Sequence, residues 1–329
     1  MARDIGWNYL QSLPKNAIVI NYGDNDTFPL WFNQEVDGVR PDVRIMNSSY
    51  LGGEWYIDEM KTAANDAAPV PFSLPSSKYS FVNDALPVRE RVNRVVEIDE
   101  LMEFIKSENE STKLPLVDGT MMDYVPARRI AIPVNKENAV KSGIVKEEDY
   151  DLMVDTVYIN IAERKQRIEK SEMMLLDLLA NFDWNRPICF TQVYILQDFG
   201  LLDYLQFDGY AYRLVPILTP YRSAWDIGRI DTDVTYPLLK MYSATVTLPR
   251  RVFTPTTSRS IISAHRVPAS RLPALRCSLY ARVRRIRRWR CWIEVWRCCP
   301  RPRFATLMQI HTPSLRVTTH SASGRRAMI

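Results

Sequence analysis

The first 249 residues contain no histidine; His265, His311 and His320 all lie beyond them. That removes every Ser/His/Asp and Cys/His nucleophile arrangement from this part and leaves Lys, Tyr and carboxylates as its acid–base groups. Cysteine is scarce as well. Cys189 stands alone there, so no internal disulfide can form, while Cys277, Cys291, Cys298 and Cys299 follow later. The later cysteines and histidines include no C-x-x-C and match no zinc pattern. No apolar run is long enough to span a bilayer, the opening residues carry no signal-peptide pattern, and no internal repeat occurs. Lysine is what the end of the chain lacks: from Arg250 onward there are 18 Arg, no Lys and one acid, Glu294.

The formal charge of +5 therefore describes neither part, since the first 249 residues hold 25 basic and 37 acidic side chains. This acidic body is long enough to bury about 70–75% of the surface its unfolded chain exposes. The tail has Arg as its only cationic residue besides His, interleaved with Trp, Cys and Pro, which is the residue set that G/C-rich codons give in a wrong frame. One shifted back-translation of residues 288–300 reads VEVLDRGMEMLP, an amphipathic helix entering a Pro stop. The competing reading is nucleic-acid or membrane-surface binding through residues 282–290 with their interleaved Trp. We expect residues 1–242 to form one α/β domain and residues 243–329 to be a disordered or non-native Arg-rich tail, with no nucleic-acid partner. The chain opens abruptly on a helix-like segment, residues 4–13, and is expected to be a piece of a longer protein.

The stretch that organises the body is AIVINYGDNDTFPLWFNQEVDG, residues 17–38. Its apolar start, residues 17–20, reads as a buried strand. Gly23-Asp24-Asn25-Asp26-Thr27 follows, then helical spacing at Leu30, Phe32 and Val36, with Pro29 suited to a first turn. Two carboxylates and an amide are thus placed where a strand ends and a helix begins, which is where ligands bind in open α/β sheets. The same acids could instead serve only as helix caps. A second strand at residues 43–46 leads to Asn47-Ser48-Ser49-Tyr50 and a helix over residues 54–64. This is βαβ grammar and implies parallel strands with right-handed crossovers. Both strands deliver their loops to one sheet edge, so Asp24, Asn25, Asp26, Asn47 and Tyr50 should share a crevice, with Trp55 nearby and Trp31 offering a further apolar face.

Further along, residues 69–87 are Pro- and Ser-rich and read as a surface excursion. A helix is expected through Ile105, short strands at residues 114–117, 129–134 and 157–161, and a solvated insertion at 141–151. The longest helix is expected over residues 162–182, where Leu175, Leu178, Leu179 and Phe182 form a stripe. Asp183-Trp184-Asn185-Arg186-Pro187 then turns into a strand at 188–193; a helix over 200–207 and a strand over 210–218 follow. The fold class is α/β, a mainly parallel sheet flanked by helices in Rossmann-like layers. Among the remaining polar residues, Arg128, Arg129 and Arg213 are candidates for an anion, Arg44 reads as an ion-pair partner, Arg186 as a turn residue, and Asp118 and Asp123 as solvated loop acids.

Four blocks in order, GDNDTFPLWFNQEVDGVRPDVRIMN, GEWYIDEMK, LLANFDWNRPICF and YLQFDGYAYRLVPI, resemble the C-terminal soluble region of a family of large bacterial membrane proteins. These are the protein O-mannosyltransferase-like proteins of glycosyltransferase family 117, long carried as a domain of unknown function. The resemblance covers residues 2–242. It implies a preceding multi-span membrane part that holds the catalytic acid, and helical, repeat-like segments after the block Tyr236-Pro237-Leu238-Leu239-Lys240-Met241-Tyr242, where this chain has its Arg-rich tail. On that resemblance the body is an accessory, extracytoplasmic (periplasmic) domain of a transferase that uses lipid-linked sugar. It would bind a glycan or acceptor, associate with the membrane only through the missing part, require no cofactor and not be catalytic alone.

Two alternatives for the acids remain. Asp24 and Asp26 could hold Mg²⁺ or Ca²⁺ through oxygen ligands, making the body an independent divalent-metal-dependent hydrolase. A phosphotransferase with an aspartyl nucleophile fits less well, because Thr27 follows too soon and Tyr22-Gly23 intervene after the apolar run.

Overall fold

The computed structural model describes residues 2–116, 119–220 and 227–243. Helix α1 (Ala2–Ser12) turns Ile5, Tyr9 and Leu10 inward. Arg40 closes its end: the guanidinium donates to the carbonyls of Leu10, Leu13 and Pro14 and pairs with Asp42. Strand β1 (Ile18–Asn21), helix α2 (Asp24–Glu35) and strand β2 (Arg44–Asn47) follow as the spacing predicts. A short 3-10 turn, Tyr50–Gly52, leads into α3 (Glu54–Met60). The middle of the chain carries β3 (Ala85–Pro87), β4 (Val96–Glu97), α4 (Ile98–Lys106), β5 (Lys113–Pro115), β6 (Met121–Asp123), β7 (Arg129–Pro133), α5 (Lys136–Lys141) and β8 (Thr156–Asn160). Then come β9 (Arg167–Glu169), α6 (Lys170–Asn181), β10 (Ile188–Phe190), β11 (Leu205–Asp208), β12 (Ala211–Leu214), β13 (Arg229–Ile230) and α7 (Thr232–Ser243).

The main sheet has six strands in the order β13-β11-β12-β10-β1-β2. β1 lies parallel between β10 and β2, with Ile18 level with Ile188 and Arg44. Successive residues of these strands feed opposite faces, as the pleat requires. Ile18, Ile20, Met46, Ile188 and Phe190 join the larger core, with α3, α4 and α6. Ala17, Val19, Ile45 and Cys189 join a smaller core beneath α1 and α2. Each such Ile or Leu taken fully from water contributes about 1.5–3 kcal/mol. α1 lies close against α2 because residue 6 is glycine: a Cβ there would sit 2.1 Å from the Pro29 carbonyl oxygen.

The sheet is mixed rather than clearly mainly parallel: β10–β12 and β11–β12 are antiparallel, while β1–β10, β1–β2 and β11–β13 are parallel. The cause is the segment read as a helix over residues 200–207. It forms a 3-10 turn, Leu201–Tyr204, and then β11, which doubles back as a hairpin on β12 through Gly209 at φ 80°. Three smaller sheets, β3-β9, β4-β7-β8 and β5-β6, complete the described residues. The helix expected over 162–182 begins only at Lys170, because β9 pairs with β3; a capping box between Glu169 and Glu172 starts it. The segment 69–87 is no surface excursion. Val70, Leu74, Tyr79 and Leu86 are core residues, and Asp177 on α6 accepts from the backbone N–H groups of Ser73 and Leu74. The insertion at 141–151 buries Ile144 and Val145. Asp118 and the Arg-rich tail lie outside the described residues.

Candidate functional site

Three parallel strands end at one edge of the sheet. β1 delivers Tyr22, Asp24, Asn25 and Asp26, β2 delivers Asn47 and Tyr50, and β10 delivers Thr191, Gln192 and Tyr194. Thr27, fully buried on α2, ties the first two loops together. Its Oγ1 accepts from the side-chain amides of Asn21 at 3.0 Å and Asn47 at 2.9 Å and donates to the Gly23 carbonyl at 2.7 Å. Asn47 in turn accepts from Ser49, and its backbone N–H donates to the Tyr56 phenol.

Neither acid caps α2 with its side chain. The N-cap is Gly23, at φ 74°, and no side-chain capping bond is made. Asp24, exposed, accepts from the Tyr50 hydroxyl at 2.6 Å. That bond raises the Tyr50 phenol pKa. Asp26, 8% exposed, accepts from the Thr191 hydroxyl at 3.0 Å and the Gln192 amide at 3.1 Å. Asn25 is exposed beside them. Pro29 lies in the second turn rather than the first, so the Asn25 carbonyl receives no helical N–H from it. One buried atom here is left over: Asn21 Oδ1, at the end of β1, has no partner.

Aromatic rings flank these acids. On one side run Phe28, Trp31, Tyr50, Tyr56 and Trp55, each ring within 5.4–6.2 Å of the next. Trp55 is 65% exposed and Phe28 52%. On the other side Tyr22 and Tyr194 meet edge to face at 4.7 Å. Burial, helped by Tyr22 and by the negative charge of Asp26, pushes the Tyr194 phenol pKa up. Of the expected site residues, Asp24 meets Tyr50 and Asn25 is exposed beside it, while Asp26 turns to the loop after β10; Asn47, fully buried with its amide spent on Thr27 and Ser49, lines no crevice as expected, and Trp55 follows the Tyr50 turn. The loop after β10 is what sequence reasoning missed. Nothing local in Thr191-Gln192-Val193-Tyr194 marks it; only the adjacency of β10 to β1 does. The two acids engage different partners, and among the described residues no group of three or more His, Cys, Asp or Glu gathers to hold a metal.

The other polar candidates serve the scaffold. Arg44, expected to be an ion-pair partner, pairs with no carboxylate among the described residues and donates to the Glu59 carbonyl. Arg186 donates to the carbonyls of Asn16, Ala68 and Pro69. Arg213 pairs with buried Asp208, Arg128 donates to the Ala162 and Lys165 carbonyls, and Arg129 to Asn93. Asp123 is not a solvated loop acid: it is 3% exposed and pairs with Lys78 and Lys113. A cavity of about 350 Å³ lies at the other end of α2, against α1. Among the described residues no helix is long and apolar enough to cross a membrane.

No curated protein and no solved structure matches this chain. A family model, TMEM260-associated domain 2, matches residues 2–234, the span that holds both the six-stranded sheet and the edge just described. TMEM260 is a protein O-mannosyltransferase-like protein, which links this domain to a membrane glycosyltransferase-like context. With most of its length covered by that model, the chain belongs to the TMEM260-associated domain 2 family.

Proposed function

We propose that this domain is the accessory, extracytoplasmic glycan- or acceptor-binding part of a membrane-embedded glycosyltransferase of the family 117 type, one that uses lipid-linked sugar, and that it performs no transfer itself. The supporting observation is the edge where exposed Asp24 and Asn25 lie near the exposed rings of Tyr22, Phe28, Trp55 and Tyr194. Carboxylates and side-chain amides accept and donate to vicinal hydroxyls, and an exposed indole such as Trp55 offers a flat apolar face to a sugar ring. Two carboxylates in the first turn of α2 occupy the helix end that otherwise attracts anions. The ligand at this edge is therefore a neutral sugar or a hydroxyl-bearing acceptor segment, not the phosphate of a lipid-linked donor.

A glycan array probed with the full chain tests this. Binding is expected to neutral glycans and to be lost on Asp24→Ala and on Trp55→Ala. The Trp55 change guards against misfolding, because that side chain is mostly exposed. Binding that survives both substitutions removes the site from this edge.

A further inference from the structure

The pattern Asn-x-Ser/Thr, with x not proline, occurs at Asn25-Asp26-Thr27, Asn47-Ser48-Ser49 and Asn109-Glu110-Ser111. It is the acceptor pattern for N-linked glycosylation, which needs the asparagine amide and the hydroxyl two residues on presented together at the surface. Asn47 does not meet that condition: it is fully buried, its amide nitrogen donates to Thr27 Oγ1 and its oxygen accepts from Ser49. Asn25 is exposed, but it stands in the first turn of α2, and the hydroxyl of its pattern is that of Thr27. Thr27 is fully buried and its Oγ1 is committed to Asn21, Asn47 and the Gly23 carbonyl. Neither pair is reached without taking the ends of β1 and β2 apart.

Asn109 and Ser111 are both exposed, at the 3-10 turn Glu110–Thr112 that joins α4 to β5. The Ser111 backbone N–H donates to Asn109 Oδ1 at 3.0 Å, which folds the asparagine side chain back toward the residue that carries the hydroxyl. Among the described residues nothing bonds the Asn109 amide nitrogen or the Ser111 hydroxyl. The turn itself is pinned. Lys78, 2% exposed, donates to the Ser107 carbonyl at 3.0 Å and pairs with Glu108 at 3.1 Å, and Lys113 pairs with the same carboxylate at 3.3 Å. The Thr112 hydroxyl donates to the Asn109 carbonyl at 2.7 Å. The backbone is thus fixed while the two groups the chemistry needs stay free. We propose that Asn109 is an N-glycan attachment site. The proposal rests on the extracytoplasmic placement argued above, the side of the membrane where a lipid-linked diphosphate sugar and a separate transferring enzyme would act. In the transfer the Asn109 amide nitrogen bonds to the anomeric carbon and gives up one proton to the enzyme. The bond from that carbon to the lipid diphosphate breaks, and the diphosphate leaves with the electron pair.

The full chain, secreted behind an added signal peptide from a eukaryotic host that supplies the donor and the enzyme, tests the acceptor. A single glycan is expected, released from the folded protein by peptide N-glycosidase, with the converted side chain mapped to position 109 by peptide mass. Asn109→Gln and Ser111→Ala should each abolish it, while Ser111→Thr and Asn25→Gln leave it in place. Ser111→Ala keeps the backbone N–H that Asn109 accepts from, so its effect reads the hydroxyl and not the turn. A bare chain from that host, or a glycan that survives Asn109→Gln, overturns the proposal. Should a variant fail to be secreted, the peptide mass from the unaltered chain decides alone. The same peptide from the chain in its own cells tests the placement: a glycan there supports the site, and a bare peptide from a chain the host modifies overturns the extracytoplasmic reading and the attachment with it. Glycan-array binding at the sheet edge is read independently, because neither Asn109 nor Ser111 belongs to that edge.

Discussion

Thr27→Val tests whether the edge is held by one hydroxyl. Valine matches threonine closely in shape, so the substitution removes hydrogen bonds without opening a cavity. The bonds lost are the acceptance from Asn21, the acceptance from Asn47 and the donation to the Gly23 carbonyl. Asn21 and Asn47 are 1% and 0% exposed, so water does not replace the missing acceptor. A buried donor left unmade costs about 1–3 kcal/mol. Two donors on one shared acceptor are not independent, and one amide can relax, so the expected loss is about 2–4 kcal/mol. Thr27→Ser keeps every bond and deletes one methyl group, for an expected loss of about 0.5–1.5 kcal/mol. Urea unfolding of the two variants against the unaltered chain, read as the midpoint at constant slope, measures the difference. A valine variant as stable as the serine variant would falsify the hub. Because Thr27 touches no ligand in the proposed site, the valine change should also weaken glycan binding through loop position, while serine restores it.

Gly6→Ala should destabilise the chain by about 1–3 kcal/mol or more through overpacking, because the added Cβ meets the Pro29 carbonyl at 2.1 Å; a thermal midpoint unchanged from the parent would contradict the α1–α2 contact. Asp42 is held at a pKa of about 2, chiefly by its hydrogen bond from Arg40. A depressed carboxylate adds stability above its unfolded pKa and loses it as pH falls toward 2, so Asp42→Asn should flatten acid unfolding between about pH 4 and 2 and leave neutral pH behaviour alone in slope. Calorimetry with Mg²⁺, Ca²⁺ and Mn²⁺ should give no heat that Asp24→Asn removes; such a heat would revive the metal-dependent hydrolase.

The part of the fold that was legible in the sequence is the part written locally. β1, α2 and β2 each carry their own signal, an apolar run, a helical stripe and a turn; the structure keeps both strands within a residue of the expected bounds, while α2 begins at Asp24, ahead of the stretch where the helical spacing was read. β7, with its alternating burial, was equally plain. The failures have a common cause. Leu201-Leu202-Asp203-Tyr204-Leu205 has helical spacing, but Leu205 pairs with Leu214 and Gln206 with Arg213 across a hairpin, and that tertiary pairing outweighs local preference. The Pro- and Ser-rich segment at 69–87 looked like surface because its composition is that of loops. What buries it is its own apolar set, Val70, Leu74, Tyr79 and Leu86, while Asp177, more than a hundred residues away, satisfies the backbone N–H groups of Ser73 and Leu74.

The same division runs through the candidate site. Asp24, Asn47 and Tyr50 come from two consecutive βα units, so their meeting follows from the right-handed crossover alone. The partners of Asp26 do not: Thr191 and Gln192 reach it only because β10 inserts beside β1 after more than 160 residues of intervening chain. This explains why a buried carboxylate is tolerated there. Asp26 is desolvated, yet two side-chain donors from a distant strand accept the burden that water would otherwise carry. Asp24, by contrast, stays exposed and is restrained by one phenol. Of the two acids, Asp26 is thus the fixed element that joins the loops after β1 and β10, and Asp24 with Asn25 is the pair left open to whatever the edge binds.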